Sequence, residues 1–151
     1  LNRLRGWKDC DVTFGQSIGP FGKPTSPYYS FDLTAATDRI PVDVYRSIVN
    51  SIYGRDVFEA WKGLMVGTPF WFEGKQYAYS TGQPMGLYSS WVLLAHFHHL
   101  VIRYSASLVG RRNFSDYRVL GDDVVIRDTE VALSYQRVIQ SLGVGISKEK
   151  T

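Results

Sequence analysis

The chain has 151 residues, with 17 basic and 14 acidic side chains, a formal charge of +3 and a single cysteine. That length can hold the core of one domain, or of a subdomain in a larger enzyme. The lone Cys10 excludes an internal disulfide and any CxxC metal motif, while the small basic excess permits nucleic-acid contact without requiring it.

Residues 1–27 carry Gly19-Pro20 and Gly22-Lys23-Pro24 and read as a surface approach segment rather than a periodic core element. The run Tyr28-Tyr29-Ser30-Phe31-Asp32-Leu33 alternates as a strand does, and Thr34–Ile40 forms the turn that leaves it. Pro41 suits the start of a helix over Val42–Ile52, whose Val44, Ile48 and Ile52 share a face, with Gly54 as its stop. A second short helix is expected over Arg55–Lys62. Pro69–Phe72 and Gln76–Tyr79 then form a hairpin around Glu73-Gly74-Lys75.

Ser80-Thr81-Gly82-Gln83-Pro84-Met85-Gly86 has the small residues and proline of a constrained loop, and leads into an apolar helix from about Leu87 to Ser107. The three histidines on that helix and Arg103 at its end favour a buried helix over a membrane span. Asp116–Leu120 and Val124–Arg127 form another hairpin. Asp128 or Thr129 caps a helix reaching Leu142, Gly143 ends it, and Val144–Ile146 is extended. Neither terminus reads as a secretory signal, and the ends at Leu1 and Thr151 read as excision boundaries, of a fragment or of a processed product.

The chemistry concentrates on three carboxylates. Gly121-Asp122-Asp123 lies between apolar runs and can project paired carboxylates from a tight turn, and Asp32 adds a third from another strand. Phosphoryl transfer uses divalent cations held by such groups, and an oxygen-only site completed by phosphate and water suits Mg²⁺. On this reading Asp32 and Asp122 are the principal ligands and Asp123 an auxiliary one. An Asp-rich solvated turn with Asp32 as a cap would produce the same local pattern.

Asp38, six positions after Asp32, can line a nucleotide pocket and meet the sugar, or can cap the next helix or pair with Arg39. The Gly82–Gly86 loop can let a substrate backbone pass closely, with Ser89 or Ser90 offering hydrogen bonds; an ordinary helix-entry turn is the rival. Lys148 and Lys150 could approach a pyrophosphate leaving group, Lys150 being preferred, although surface lysines are common. His96 and His99 share a helical face but lack a metal-site partner in sequence, so they read as packing or hydrogen-bonding residues. Trp61, Trp71 and Trp91 read as core aromatics. The basic residues Arg3, Arg5, Lys8, Lys23, Arg103, Arg111, Arg112 and Arg118 could border an acidic floor.

Taken in order, these segments resemble the palm of mitovirus RNA-dependent RNA polymerases. Asp32-Leu33-Thr34-Ala35-Ala36-Thr37-Asp38-Arg39-Ile40-Pro41 resembles polymerase motif A, and Gly82-Gln83-Pro84-Met85-Gly86-Leu87-Tyr88-Ser89-Ser90-Trp91 resembles motif B. Gly121-Asp122-Asp123 matches motif C, and Leu142-Gly143-Val144-Gly145-Ile146-Ser147-Lys148-Glu149-Lys150-Thr151 resembles motif D. The resemblance implies an α+β palm, an antiparallel sheet backed by helices, occupying 28–151, with 1–27 as an approach segment that could derive from the fingers. It implies template-directed RNA synthesis by a nucleotidyltransferase using Mg²⁺, with Mn²⁺ as a substitute. The metal ligands would be Asp32, Asp122 and Asp123, and Lys150 would assist pyrophosphate departure.

Asp38, Gly82, Gln83, Gly86, Ser89 and Ser90 would contact nucleotide or template. Partners would be template and nascent RNA, nucleoside triphosphates, and the missing fingers and thumb, with no membrane or obligate protein partner; the location would be mitochondrial. The broader motif B pattern has threonine and asparagine where Ser90 and Leu94 stand if Gly86 is its glycine, so those sugar contacts do not carry over. Two other readings stay open: an inactive polymerase remnant or RNA-binding scaffold, and an RNA-directed DNA polymerase palm.

Overall fold

Strand β1 (Tyr29–Thr34) shows why the fold has two unlike faces: Phe31 and Leu33 are buried while Ser30 and Thr34 are exposed. Side chains alternate across a strand, so burying the odd positions commits Asp32 to the opposite face. The computed structural model describes residues 6–7, 9–13, 15 and 19–147.

Among the described residues the sheet has four strands in the order β4-β5-β1-β6, comprising β4 (Tyr117–Leu120), β5 (Asp123–Ile126), β1 and the short β6 (Gly145–Ile146). Neighbours run antiparallel, with Phe31 opposite Val124, Asp32 opposite Asp123, and Leu33 opposite Ile146. Tyr117, Val119, Val124 and Ile126 continue the apolar face begun by Phe31 and Leu33. One buried and one open face is the usual state of an antiparallel sheet.

Helices supply the cover. β1 leads into a single turn, α1 (Ala36–Arg39), where a bend alone was expected, and Ala35 ahead of it takes φ +50°. The expected Val42–Ile52 helix is divided into a 3-10 turn, Val42–Tyr45, and α2 (Arg46–Tyr53), because Pro41 carbonyl accepts the short-range N–H of Val44. Gly54, at φ +96°, separates α2 from α3 (Arg55–Val66). Ile48, Val49 and Phe58 from these helices join the core together with Tyr45.

The long helix α4 (Ser90–Leu108) begins three residues later than the periodicity predicts. Its entry turn is held by Ser90 N–H to Leu87 carbonyl at 3.0 Å, and Ser89 makes no side-chain cap because its hydroxyl is engaged elsewhere. No helix among the described residues is long and apolar enough to cross a membrane. α5 (Thr129–Ser141) is capped by Asp128, whose carboxylate accepts the Val131 N–H at 3.0 Å.

Two expectations are corrected. The approach segment is not confined to the surface: Cys10, Asp11, Val12, Thr13 and Phe21 are buried, and Val12 N–H reaches Val119 carbonyl at 2.9 Å, laying this stretch along the free edge of β4. Conversely, the hairpin of β2 (Phe70–Phe72) and β3 (Lys75–Tyr77) stands away from the core, with Phe70, Trp71, Phe72 and Tyr77 exposed. Its turn is sound: Glu73 and Gly74 both take positive φ, as a type I′ hairpin requires.

Candidate active site

Two of the three carboxylates stand opposite each other on the open face of the sheet. Asp32 in β1 and Asp123 in β5 are direct cross-strand partners. Such pairs hold their Cβ atoms about 4.5–5.5 Å apart, and two like charges so placed oppose folding. Asp122 occupies the β4–β5 turn and is exposed. The register puts Asp123 directly opposite Asp32 and leaves Asp122 at the tip of the turn.

The turn's geometry depends on Gly121. It has φ +63°, Asp122 does not share the positive φ, and Leu120 pairs with Asp123, the pattern of a two-residue type II′ hairpin with glycine first. A Cβ on Gly121 would also lie 2.6 Å from Trp91 Nε1. Trp91, half-exposed rather than a core aromatic, therefore packs against the carboxylate turn, a role its sequence position did not reveal. Trp71 is likewise exposed, whereas Trp61 packs on the core.

A second feature lies beyond the strand. Asp38 and Arg39 border a cleft of about 480 Å³ with Phe70, Tyr77, Tyr79 and Thr81. The Tyr79 hydroxyl is pushed above the ordinary phenol range by burial, and next by the nearby negative charge of Asp38. Asp38 thus faces a cavity with a polar and an aromatic wall, and is distinct from the Asp32–Asp123 pair.

The loop before α4 is stitched to the segment after β1. Gln83 N–H donates to Thr37 carbonyl at 2.9 Å, and Val42 N–H donates to Thr81 carbonyl at 2.9 Å. Gly82 is packed so closely that a Cβ would fall 2.1 Å from Thr37 carbonyl oxygen and 2.5 Å from that of Asp38. Glycine here serves contact between two protein backbones.

Three of the expected substrate contacts point inward. Gln83 is fully buried, Ser90 donates to Pro84 carbonyl at 2.8 Å, and Ser89 accepts the Trp61 indole N–H at 3.0 Å. These side chains hold the loop and the start of α4; the physical reason is that the loop folds back on α3 and on the segment after β1. Gly86, at φ +84°, stays on the surface. Lys148 and Lys150 lie outside the described residues.

Of the expected basic border, Arg103, Arg111 and Arg112 share the lining of one cavity. Arg111 pairs with Asp128 and Glu130, Arg118 stacks 4.1 Å over Phe21, and Arg103 lies 4.8 Å over Trp7 while bonding Tyr117.

An oxygen-only donor set on an open face suits Mg²⁺. Among the described residues no three His, Cys, Asp or Glu side chains, Asp32, Asp122 and Asp123 included, are grouped so as to hold a metal ion. The Asp32–Asp123 pair supplies two carboxylates, and Mg²⁺ usually takes most of its shell from phosphate and water.

A four-stranded antiparallel sheet, helices behind one face and opposed carboxylates on the other define a polymerase palm-type fold. An apo telomerase from Candida tropicalis, truncated from its C-terminal domain, shares that architecture, with a TM-score of 0.56 and 14% identity over 99% of this chain and 33% of that one.

The family model "Mitovirus RNA-dependent RNA polymerase" matches residues 1–151, and the chain belongs to that family. It is 39% identical to the RNA-directed RNA polymerase of Cryphonectria parasitica mitovirus 1 across 95% of this chain, but spans only 18% of that protein. It is also 36% identical to an uncharacterized mitochondrial protein of Arabidopsis thaliana, covering 93% of this chain and 74% of the relative.

Proposed function

We propose that this chain is the catalytic palm segment of an RNA-directed RNA polymerase, which extends RNA on an RNA template from nucleoside triphosphates. The observation that carries the reading is the direct opposition of Asp32 and Asp123 on the open sheet face, with Asp122 at the adjoining turn. Family membership supports the choice of RNA as template and product.

In this reading Asp32, Asp122 and Asp123 hold divalent cations, Mg²⁺ or in its place Mn²⁺. Bound there, the cations would lower the barrier to attack by an RNA 3′-hydroxyl on the α-phosphate and stabilise the departing pyrophosphate. Asp38 and Tyr79 receive the incoming ribose in their cleft. Gly82 and Gln83 fix the loop against Thr37 and Asp38, so that sugar and phosphate sites keep a constant separation. Gly86 leaves the loop surface open to the template, and Lys150 remains our candidate for the group that meets pyrophosphate. Residues 28–151 form the partial palm, with residues 1–27 entering from the fingers; the remaining fingers and thumb come from outside this chain. Kinship with a mitovirus polymerase and with a mitochondrial protein supports a mitochondrial setting.

The test is RNA extension by the full natural polypeptide that carries this chain, with ribo- and deoxyribonucleotides in parallel and Asp122→Asn as control. Metal-dependent ribonucleotide incorporation that collapses in the variant supports the reading; equal extension by both proteins refutes the metal centre, and preferred deoxynucleotide incorporation refutes the product assignment.

A second reading has its own support. The much larger share of the Arabidopsis protein that is covered fits a polymerase remnant that binds RNA without extending it. RNA retention without metal-dependent extension in the same assay would favour it.

A further inference from the structure

One polar chain, buried from Tyr117 inward, remains unused by the proposed chemistry. Arg103 Nε donates to the Tyr117 hydroxyl at 3.2 Å, and that hydroxyl lies 2.9 Å from His99 Nδ1. His99 Nε2 lies 2.9 Å from Asp11 Oδ2, with both side chains essentially inaccessible. Thr13 returns to the same carboxylate through its N–H at 3.1 Å and its hydroxyl at 3.4 Å. Finally, Gly121 N–H donates to Thr13 Oγ1 at 3.2 Å.

These bonds have one consistent direction. Burial holds His99 below its ordinary range, against the pull of Asp11, so the ring is neutral and carries one proton. With that proton on Nε2 facing Asp11, Nδ1 accepts from Tyr117, whose oxygen in turn accepts from Arg103. Thr13 spends its only hydroxyl proton on Asp11, which turns its lone pairs to Gly121. The Gly121 N–H belongs to the first central residue of a hairpin turn, is buried, and has no place in the strand ladder, so it requires a partner from elsewhere. On its other side the turn meets Trp91.

We propose that Thr13, oriented by Asp11 and His99, is a positioning residue that fixes the Gly121-Asp122-Asp123 turn and so aims the two carboxylates. This inference rests on the polymerase reading of the site. A displacement of about 1 Å at a reacting centre can lower a rate about 100-fold.

Two measurements on the full natural polypeptide test it: hydrogen exchange of the Gly121 amide without metal, and steady-state RNA extension. The unsubstituted protein should protect the Gly121 amide. Thr13→Val, which replaces the hydroxyl by a methyl, should raise its exchange about ten-fold or more. It should also lower kcat by about 10- to 100-fold with KM for the nucleotide within about two-fold, and Thr13→Ser should restore both. If the valine variant does not fold, Thr13→Ala carries the same expectations.

A Gly121 amide that exchanges freely in the unsubstituted protein overturns the proposal, as does a folded Thr13→Val or Thr13→Ala variant with unchanged exchange or unchanged kcat. If Asp122→Asn abolishes extension while the Thr13 variants behave as wild type, this inference fails and the polymerase reading stands. If Asp122→Asn extends normally, the metal-centre assignment fails while RNA extension itself persists, and kcat, no longer a report on this turn, overturns the positioning role with it.

Discussion

The two faces of the four-stranded sheet are made by the same residues in alternation, yet they answer to opposite demands. Phe31, Val124 and Ile126 face the helices and are nearly inaccessible, whereas Asp32 and Asp123, one position along, are set against each other on the open side. The buried face gains from removing apolar area from water; the open face places like charges together, which favours no fold by itself. Substitutions on one face should therefore register in stability, and on the other in chemistry.

The largest effect should come from the open face. Asp32→Asn should reduce RNA extension by about 10²–10³-fold, a loss typical of removing one charge-stabilising group. Its thermal midpoint should hardly move, because relief of the Asp32–Asp123 opposition compensates for lost contacts. A variant that melted before it lost activity would break the division between faces.

Ile126→Ala makes the converse test. Ile126 is fully buried, and truncation there should cost about 2–5 kcal/mol in denaturant unfolding while sparing activity per folded molecule. Gly82→Ala should sharpen the boundary by failing on both counts, since its Cβ meets the backbone of the segment carrying Asp38. Stability and extension should fall together, as read by melting and by kcat.

Acid should act on the buried side. His98 is fully enclosed, and burial, reinforced by His99, pushes its pKa down from 6.5 to about 3. The folded pKa is depressed, so the unfolded chain binds the proton between these values; stability is complete above about pH 6.5 and falls as pH drops toward 3, with a slope nearing roughly 1.4 kcal/mol per unit. Denaturant melts across pH 4–7 should show this, and His98→Phe should lessen the slope while leaving the share carried by His96 and His99, both also held low by burial. The smallest effect belongs to the α5 cap: Asp128→Ala should cost about 0.5–2 kcal/mol in the same melts.

The sheet was readable in the sequence because alternation and turn residues are local. Phe31 and Leu33 around Asp32, and the Gly121-Asp122 turn between apolar runs, specify strands and their faces without tertiary information. Asp128 as a cap was similarly visible. The rest depended on distant partners. Nothing near Asp11 announces that it meets His99, 88 residues away, or that Thr13 reaches Gly121. Residues 10–13 are buried by docking on the edge of β4, so a scan for periodicity passes over them.

Aromatic residues misled in the opposite sense: Trp71 and Trp91 suggest core, but the first sits on a projecting hairpin and the second beside the carboxylate turn. Ser89 and Ser90 lie in the motif expected to touch substrate, yet they bond inward because the loop folds back on α3 and its own proline.

The central claim is that Asp32 and Asp123 jointly hold a divalent cation. Titration of Mn²⁺ into the full natural polypeptide, with primer–template RNA and a non-hydrolysable ribonucleoside triphosphate, followed by electron paramagnetic resonance, tests it most directly. Bound Mn²⁺ should be present in the unsubstituted protein and largely lost in both Asp32→Asn and Asp123→Asn. Undiminished binding in both variants would contradict the account.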